Sequence, residues 1–478
     1  MSAVYNKLGN IYVSLGDPNR ALVYYEKALK ILRESDSVEY VSDLSVCYIG
    51  LGDLYVSLDD LNRAREYHEK ALKISEKLQQ GAPDSTEYAR GVSLSYNRLS
   101  DLYVRLDDPN RALEYCEKAL KISEKLRLDA LDSAEYARDL SVRYEKLSDL
   151  YVGLVDPNRA LEYCEKALKI REELLRRIPD SAEYARNLSV SYIKLGDLYV
   201  SLDDLDRALE YYEKALKISE KLRLGAPDSA EYARDLSVGY EKLSDLYVGL
   251  VDPNRALEYC EKALEIRKEL LRSVPGSAEY AKMLFVSYSR LGDLYVSLDD
   301  LDRALEYHEK ALKISEELRQ RDLNSAEYAS NLSVSYIKLG GLYVSLDDLD
   351  RALEHCEKAL KIDEELRQRY PDSAKYASDL VFSFYTMAMF HKENGADEQE
   401  QGYWKRFLTA ISPQKKSSHA KEKECWKRCH YALLDMMSSG MSLDPPLVGL
   451  LQDLSGKFSD KAYFNRLLRN GSSSRRKR

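Results

Sequence analysis

The chain has 478 residues, of which 44% are hydrophobic and 32% are charged, and its formal net charge is −9. This composition supplies enough apolar surface for a folded core and excludes a disordered chain. No apolar run is long enough to span a bilayer, and no secretory signal pattern opens the sequence. The seven cysteines lack the dense spacing of a disulfide scaffold, which favours a reducing compartment. We therefore predict a cytoplasmic protein that does not bind membranes.

One motif, Leu-(Gly/Ser)-Asp-Leu-Tyr-Val, recurs along most of the chain with a period of 48 residues. Its acidic position falls at Asp53, Asp101, Asp149, Asp197, Asp245 and Asp293 and, in degenerate form, at Gly341. An earlier copy lies at Asn10. A worn ninth copy aligns through Phe384, Met387, Met389 and Phe390. Residues 1–410 are therefore predicted to form one array of eight clear repeats and one degenerate repeat.

A longer period of 96 residues lies on top of the first. Residues 135–182 and 231–278 differ at only a few positions. This near-identity indicates that a unit of two repeats has been copied.

Residues 180–228 show what one repeat is predicted to form. A helix of about 20 residues, helix A, begins at Asp180, which serves as its capping acid, and carries apolar residues at spacings of three and four. Asp203 and Asp204 end it and cap a second helix of similar length, helix B, which stops at Gly225. In other copies the cap is followed by proline, as in Asp156-Pro157. One such pair cannot cover both of its apolar faces, so we predict stacked pairs in an all-α solenoid.

The residues of this repeat resemble the tetratricopeptide pattern. The matching positions are Tyr192, Leu195, Gly196, Tyr199, Ala208, Tyr212 and Ala215. The first alanine of the pattern recurs in every clear copy, at Ala21, Ala64, Ala112, Ala160, Ala208, Ala256, Ala304 and Ala352. The period of 48 exceeds the family's usual 34, so both helices are expected to be longer, in a style similar to kinesin light chain arrays. The resemblance implies a right-handed superhelix whose A helices line a concave face that holds a partner peptide.

Two rows of charge follow the predicted A helices. If Tyr192 is counted as position four, position six is basic and position nine is acidic in most copies. One interpretation is a row of ion pairs three residues apart on a solvated face. The other is that the rows bind a partner protein or peptide. The candidate residues are Lys146, Asp149, Lys194, Asp197, Lys242, Asp245, Arg290 and Asp293.

One subclass of the family is not matched by this chain. The carboxylate-clamp type, which grips the acidic C-terminus of chaperones, needs lysine at position five and asparagine at position nine of its leading repeat. Position five holds no lysine, and only Asn10 supplies the asparagine. A receptor for chaperone tails is therefore not expected.

Cysteine and histidine positions do not predict a metal site. Cys116, Cys164, Cys260 and Cys356 occur once per repeat, at the buried aromatic position of helix B that His68 and His308 hold elsewhere. Cys425 and Cys429 would share one face of a helix, but the surrounding Trp426, Tyr431 and Leu433 favour a structural role there as well. We predict no metal and no cofactor.

The last segment, residues 411–478, breaks the repeat. It contains 14 Lys or Arg against 6 Asp or Glu, which leaves −17 of the chain's net charge for residues 1–410. Two short helices around Asp444-Pro445-Pro446 are expected to cap the last repeat. The basic end, Arg475, Arg476, Lys477 and Arg478, favours a solvated tail over a nucleic-acid site.

These patterns together favour a binding function. The chain lacks glycine-rich phosphate loops, a His-Glu-x-x-His pair and a Gly-x-Ser-x-Gly elbow, so we expect no enzymatic activity. The first hypothesis is a protein-interaction scaffold that uses the concave face. The alternative is a regulatory or sensor region of a larger signalling or transport protein whose effector domain is separate or lies upstream of Met1. Nucleic-acid binding through the basic tail is a third possibility.

Overall fold

The computed structural model describes residues 1–33, 38–371 and 373–410. These residues form eighteen helices and no strand. The helices are α1 (Ser2–Ser14), α2 (Pro18–Arg33), α3 (Val38–Ser57), α4 (Leu61–Gly81), α5 (Thr86–Arg105), α6 (Pro109–Asp129), α7 (Ala134–Gly153), α8 (Pro157–Arg177), α9 (Ala182–Ser201), α10 (Leu205–Gly225), α11 (Ala230–Gly249), α12 (Pro253–Ser273), α13 (Ala278–Ser297), α14 (Leu301–Arg321), α15 (Ala326–Ser345), α16 (Leu349–Arg369), α17 (Ala374–Glu393) and α18 (Asp397–Ala410). None of these described helices is long and apolar enough to cross a membrane.

The chain forms two compact units, Met1–Gly225 and Ala226–Arg478. The first contains α1–α10, and the described part of the second contains α11–α18. Within each unit, every odd-numbered helix, an A helix, packs against the B helix that follows it, and each B helix packs against the next A helix. Each unit is therefore a stack of helix pairs, which confirms the predicted all-α solenoid.

The ends of the helices follow the predicted turns with one correction. Asp180 was predicted to cap α9, but the cap is Ser181, whose Oγ accepts from the Tyr184 N–H at 3.2 Å. The cap of helix B is the predicted aspartate, since Asp204 Oδ1 accepts from the Arg207 N–H at 3.1 Å. Between A and B, Asp203 has a φ of 61°, which reverses the chain within three residues. These short caps place A and B side by side.

The close approach of A and B depends on matched side-chain sizes. The first alanine of the repeat is fully buried in all eight clear copies. Next to it, a glycine on helix A faces a ring on helix B: a Cβ at Gly196 would lie 2.9 Å from Cζ of Tyr212, and Gly52 faces His68 in the same way. In most copies where helix B carries cysteine, helix A carries serine instead of glycine. Ser148 opposite Cys164 is an example. A large side chain on one helix therefore requires glycine on the other.

The many tyrosines pack in groups of three within each of the first seven repeats, and His355 replaces one tyrosine in the eighth. The rings of Tyr199 and Tyr211 are stacked, with centroids 5.5 Å apart and an interplanar angle of 5°, and Tyr192 lies against Tyr211 at 5.9 Å. The guanidinium of Arg207 lies 4.5 Å from the centroid of the Tyr199 ring. The same group recurs along the chain, and this explains why tyrosine outnumbers phenylalanine 38 to 7.

Candidate functional site

The two charged rows of the A helices form ion pairs with each other, and the pairs link consecutive repeats. Lys194 Nζ lies 2.7 Å from Asp149 Oδ2, and Lys338 Nζ lies 2.6 Å from Asp293 Oδ1, each partner being 45 residues earlier. The same pairing joins Arg98 to Asp53, Lys146 to Asp101 and Arg290 to Asp245. The interpretation of pairs three residues apart within one helix is therefore wrong for these residues, because the base reaches back to the preceding A helix instead.

In four of these five pairs the acidic member is the more exposed one, the exception being Arg98 with Asp53. The Asp149 side chain is 57% exposed and that of Lys194 is 30% exposed, while the values for Asp245 and Arg290 are 50% and 29%. In these four pairs each base thus lies partly beneath its aspartate. In each unit, solvent or a partner meets mainly carboxylate oxygens at these pairs. We call these carboxylates the aspartate row; they are Asp101 and Asp149 in the first unit and Asp245 and Asp293 in the second.

One of the predicted site residues, Asp197, also contacts the core. Asp197 accepts a hydrogen bond of 2.5 Å from the hydroxyl of Tyr212, a core residue of the same repeat. Lys242 is half-buried on α11, as Lys194 is on α9. Asp197 therefore supports the packing of α9 against α10 in addition to any role at the surface.

Below the surface, two buried Glu–Arg pairs were not predicted. Arg171 on α8 is 6% exposed and pairs with Glu145 on α7, while its Nη1 donates to Ser191 Oγ at 2.6 Å. Burial acts to raise the pKa of Glu145, but Arg171 and Lys194 outweigh burial and lower it, so the carboxylate remains ionised. Arg267 and Glu241 repeat this arrangement in the second unit.

The sequence carried a signal for these pairs. Glutamate at position five and arginine 26 residues later occur together in the two copies that make up the 96-residue period, at residues 135–182 and 231–278. Elsewhere position five is not acidic, and helix B carries serine or aspartate except in the first copy, where it carries Leu32. The joint change marks a contact between the two positions.

The arginines belong to a set of buried polar residues at one repeat position, one on each B helix from α4 to α16, which we call the polar row. Its members are Ser75, Ser123, Arg171, Ser219, Arg267, Ser315 and Asp363. Most of them bond to the next A helix, as Ser75 does to Ser95 at 3.3 Å and Ser315 does to Ser335 at 3.1 Å. The polar row thus supplies hydrogen bonds between repeats inside an otherwise apolar interface.

Asp363 is the one carboxylate in the polar row. Its side chain is buried, Oδ2 accepts from the Ser383 hydroxyl at 2.5 Å, and Oδ1 has no hydrogen-bond partner among the described residues. Burial raises the pKa of Asp363 to about 6, although the hydrogen bond from Ser383 opposes the shift. Near neutral pH the site therefore holds a buried and uncompensated negative charge.

Most members of the polar row are serine, so Asp363→Ser is the natural replacement. The stability of this variant relative to wild type is expected to rise with pH. In wild type the folded state holds the Asp363 proton more tightly, so its contribution is full below the unfolded pKa near 4 and is lost as the pH rises to about 6 and beyond. Between about pH 4.5 and about pH 7.5, the free energy of unfolding of Asp363→Ser should increase by about 2 kcal/mol relative to that of wild type. Urea unfolding followed by circular dichroism at both pH values measures this. A constant difference between the two proteins would contradict the assignment.

The cysteines and histidines of helix B occupy the core, as predicted. The buried set comprises His68, Cys116, Cys164, Cys260, His308 and Cys356. Burial raises the pKa of the Cys116 thiol to about 11 and lowers the pKa of His68 to about 4, so both are uncharged near neutral pH. In the described part of the chain, no group of His, Cys, Asp or Glu is arranged to hold a metal ion. The Cys425 and Cys429 pair, the C-terminal cap and the tail from Arg475 to Arg478 lie outside the described residues.

The repeated helix pair, with its buried alanines and its glycine–ring contacts, defines a class of helical-repeat protein. Family models described as Tetratricopeptide repeat match residues 1–77, 94–126, 143–174, 190–222, 239–270, 285–322 and 334–366. These matches cover more than half of the sequence, and the chain belongs to the tetratricopeptide repeat family. Such repeats generally mediate protein–protein interactions. A search of curated protein sequences found no match.

Several solved structures are similar to this chain. The apo form of RapI is 15% identical, has a TM-score of 0.54 and aligns over 86% of this chain and 97% of its own. BtubC (BKLC) from P. vanneervenii is 25% identical, with a TM-score of 0.44, over 54% of this chain and 92% of its own. PH0952 from Pyrococcus horikoshii, a signal transduction ATPase with a tetratricopeptide repeat sensor, is 16% identical, with a TM-score of 0.44, over 86% of this chain and 54% of its own. The similarity to RapI supports the fold alone.

Proposed function

We propose that this chain is a non-enzymatic, cytoplasmic scaffold that binds a protein or peptide partner on the surface formed by its A helices. The observation that carries the proposal is the aspartate row, in which the more exposed member of every pair is the carboxylate. The candidate contacts are Lys146, Asp149, Lys194 and Asp197 in the first unit and Lys242, Asp245, Arg290 and Asp293 in the second.

The chemistry of the row favours a basic partner. An ionised carboxylate can accept several hydrogen bonds, and the neighbouring lysine or arginine occupies only one side of it. The remaining lone pairs are available to lysine or arginine side chains of a partner, and such charge-assisted hydrogen bonds are stronger than neutral ones. The net charge of −17 on residues 1–410 would also speed the approach of a basic partner.

Replacing Asp101, Asp149, Asp245 and Asp293 with asparagine is the direct test. Peptides that bind the intact chain would first be selected from a random displayed library, and their affinities would then be measured by titration calorimetry. We expect at least a tenfold loss, because each lost charge-assisted hydrogen bond is worth about 1.5–3 kcal/mol. Asp197 is left unchanged in this variant because it supports the core residue Tyr212.

A matched control removes the same charge from another surface. Glu114, Glu162, Glu258 and Glu306 lie on B helices and pair with lysines four residues later. Changing these four to glutamine should alter binding by less than about twofold, since only the long-range field changes. Equal losses in both variants would show a net-charge effect and no specific surface. Unchanged binding in the aspartate variant would remove the aspartate row from the site.

The intact chain should also be compared with residues 1–410 at low and high salt. A partner that both chains retain supports recognition by the repeats. Binding that needs residues 411–478 and disappears at high salt would instead favour the basic tail and an anionic partner such as nucleic acid.

The length of the helices favours the long-repeat variety of the family. A and B contain 20 and 21 residues in α9 and α10, which fits arrays similar in style to those of kinesin light chains. The longer A helix widens the surface that carries the aspartate row. A partner could therefore contact other residues of the A helices in addition to the aspartates.

A further inference from the structure

The aspartate row lies between two rows of aliphatic side chains on the same face of the A helices. With positions counted as for the charged rows, position twelve is valine in all eight clear copies, and position two is valine or leucine in seven of them. On α7, Val142 lies seven residues before Asp149 and Val152 lies three residues after it, so the three share one face of the helix. The carboxylates are therefore flanked by aliphatic side chains on both sides.

These aliphatic side chains are exposed beside the exposed carboxylates. Val142 and Val152 are 43% and 52% exposed, on either side of Asp149. The valines that follow the other members of the aspartate row are about as exposed, namely Val104, Val248 and Val296. Single exposed apolar residues are common on protein surfaces, but an exposed aliphatic residue that recurs at one repeat position is typical of a binding surface.

Within each unit the rows continue from one A helix to the next. Lys146 on α7 pairs with Asp101 on α5, so these two A helices lie side by side. Arg105, at the end of α5, donates to the Val56 carbonyl oxygen on α3 at 2.7 Å, which brings together the ends of another two A helices. A partner that crosses consecutive A helices therefore meets an aliphatic row, the carboxylates and a second aliphatic row.

The dimensions of this surface fit an α-helix. Val142 and Val152 are about 15 Å apart along the axis of α7, close to the width of a helix with its side chains, about 10–12 Å. Neighbouring helices lie on the order of 10 Å apart, and residues i and i+7 of a partner helix are about 10.5 Å apart. An extended peptide instead places residues of one face about 7 and about 13 Å apart, which fits the spacing of neighbouring aspartates less well.

We infer that the partner held on this surface is an amphipathic helix whose contacting face carries lysine or arginine along its centre and aliphatic residues on both sides. Basic residues seven apart pair with neighbouring carboxylates of the aspartate row. The third and fourth residues after each base lie on either side of that line, where they cover the two aliphatic rows. The inference rests on the proposed scaffold function and adds the chemistry of the partner to it.

Two fluorescently labelled peptides of identical composition test the chemistry of the partner. The matched peptide is about 22 residues long, enough for a helix to form, and has lysine at every seventh place with leucine at the third and fourth places after each lysine. The scrambled peptide distributes the same residues around the helix. Fluorescence anisotropy with the full chain measures both affinities. The matched peptide should bind about tenfold more tightly, because only its leucines are all buried against the surface.

A matched pair of variants tests the aliphatic rows. The aliphatic variant replaces with threonine the valine three residues after each member of the aspartate row, namely Val104, Val152, Val248 and Val296. Threonine keeps the branched shape and exchanges one methyl group for a hydroxyl. This variant should bind the matched peptide about tenfold more weakly and unfold in urea as wild type does. The control variant replaces with threonine four exposed leucines at the ends of B helices and in the turns that follow them, namely Leu128, Leu131, Leu224 and Leu323, and should bind the peptide as wild type does.

The two peptides and the variants separate this inference from the scaffold proposal. Equal affinity of both peptides for wild type, or no binding of either, would overturn the helical partner, and neither result depends on a variant that folds. Unchanged binding by the aliphatic variant, with a loss in the asparagine variant of the aspartate row, would also overturn it and leave the scaffold proposal in place. Unchanged binding by both variants would contradict both proposals. Self-association of the full chain in analytical ultracentrifugation that the aliphatic variant abolishes would identify a second copy as the occupant and overturn the inference.

Discussion

Replacing Glu145 with alanine is expected to lower the free energy of unfolding by about 3–5 kcal/mol. Arg171 is 6% exposed and would remain buried without the carboxylate that balances its charge. Lys194 would keep Asp149 as a partner, so the loss falls mainly on Arg171. Urea unfolding of the variant, followed by circular dichroism at 222 nm (a helix signal), measures the change.

The control for this prediction uses residues that the chain itself contains. Ile49 and Ser75 occupy the equivalent positions two repeats earlier, where Ile49 is buried and Ser75 bonds to Ser95. The double variant Glu145→Ile with Arg171→Ser should therefore return to within about 1 kcal/mol of wild type, because no buried charge remains. A double variant as unstable as Glu145→Ala would show that the ion pair contributes stability that an apolar replacement does not supply.

Replacing Gly196 with serine is expected to cost about 3 kcal/mol, at the upper end of overpacking effects. The Cβ would lie 2.9 Å from Cζ of Tyr212, and that ring is buried and bonded through its hydroxyl to Asp197. The ring can move only if α9 and α10 separate. The measurement is again the free energy of unfolding in urea.

A second substitution should relieve this cost. Ser148 and Cys164 stand at the equivalent positions one repeat earlier, and the Ser148 hydroxyl donates to the Ala160 carbonyl at 2.8 Å. Adding Tyr212→Cys to Gly196→Ser should recover most of the lost stability, so the two effects are strongly non-additive. Gly340→Ser, opposite Cys356, should be mild by comparison. Additive losses would mean that the size match is incidental.

The helices were predictable because their signals are local. Apolar spacings of three and four, Asp204 at the start of helix B and the recurring alanine all lie within one repeat, and the structure contains the helices that they predict. The cap of α9 was missed by one residue because Asp180 and Ser181 are both good capping residues. Local chemistry alone does not choose between such neighbours.

The contacts of the site were less predictable because they depend on how helices stack. Lys194 and Asp197 are three residues apart in sequence, but the partner of Lys194 is Asp149, 45 residues away.

The way charges pair along the chain bears on how the array can change its copy number. Each buried Glu–Arg pair lies within one repeat, as Glu145 with Arg171 does. The surface pairs instead join consecutive repeats, and they always use the basic position of one A helix and the acidic position of the preceding A helix. A recombination event that gains or loses a whole repeat would therefore carry both members of the buried pair together. The new junction would again place a base against an aspartate. Such a gene can lengthen or shorten its product without leaving an orphaned charge in the core.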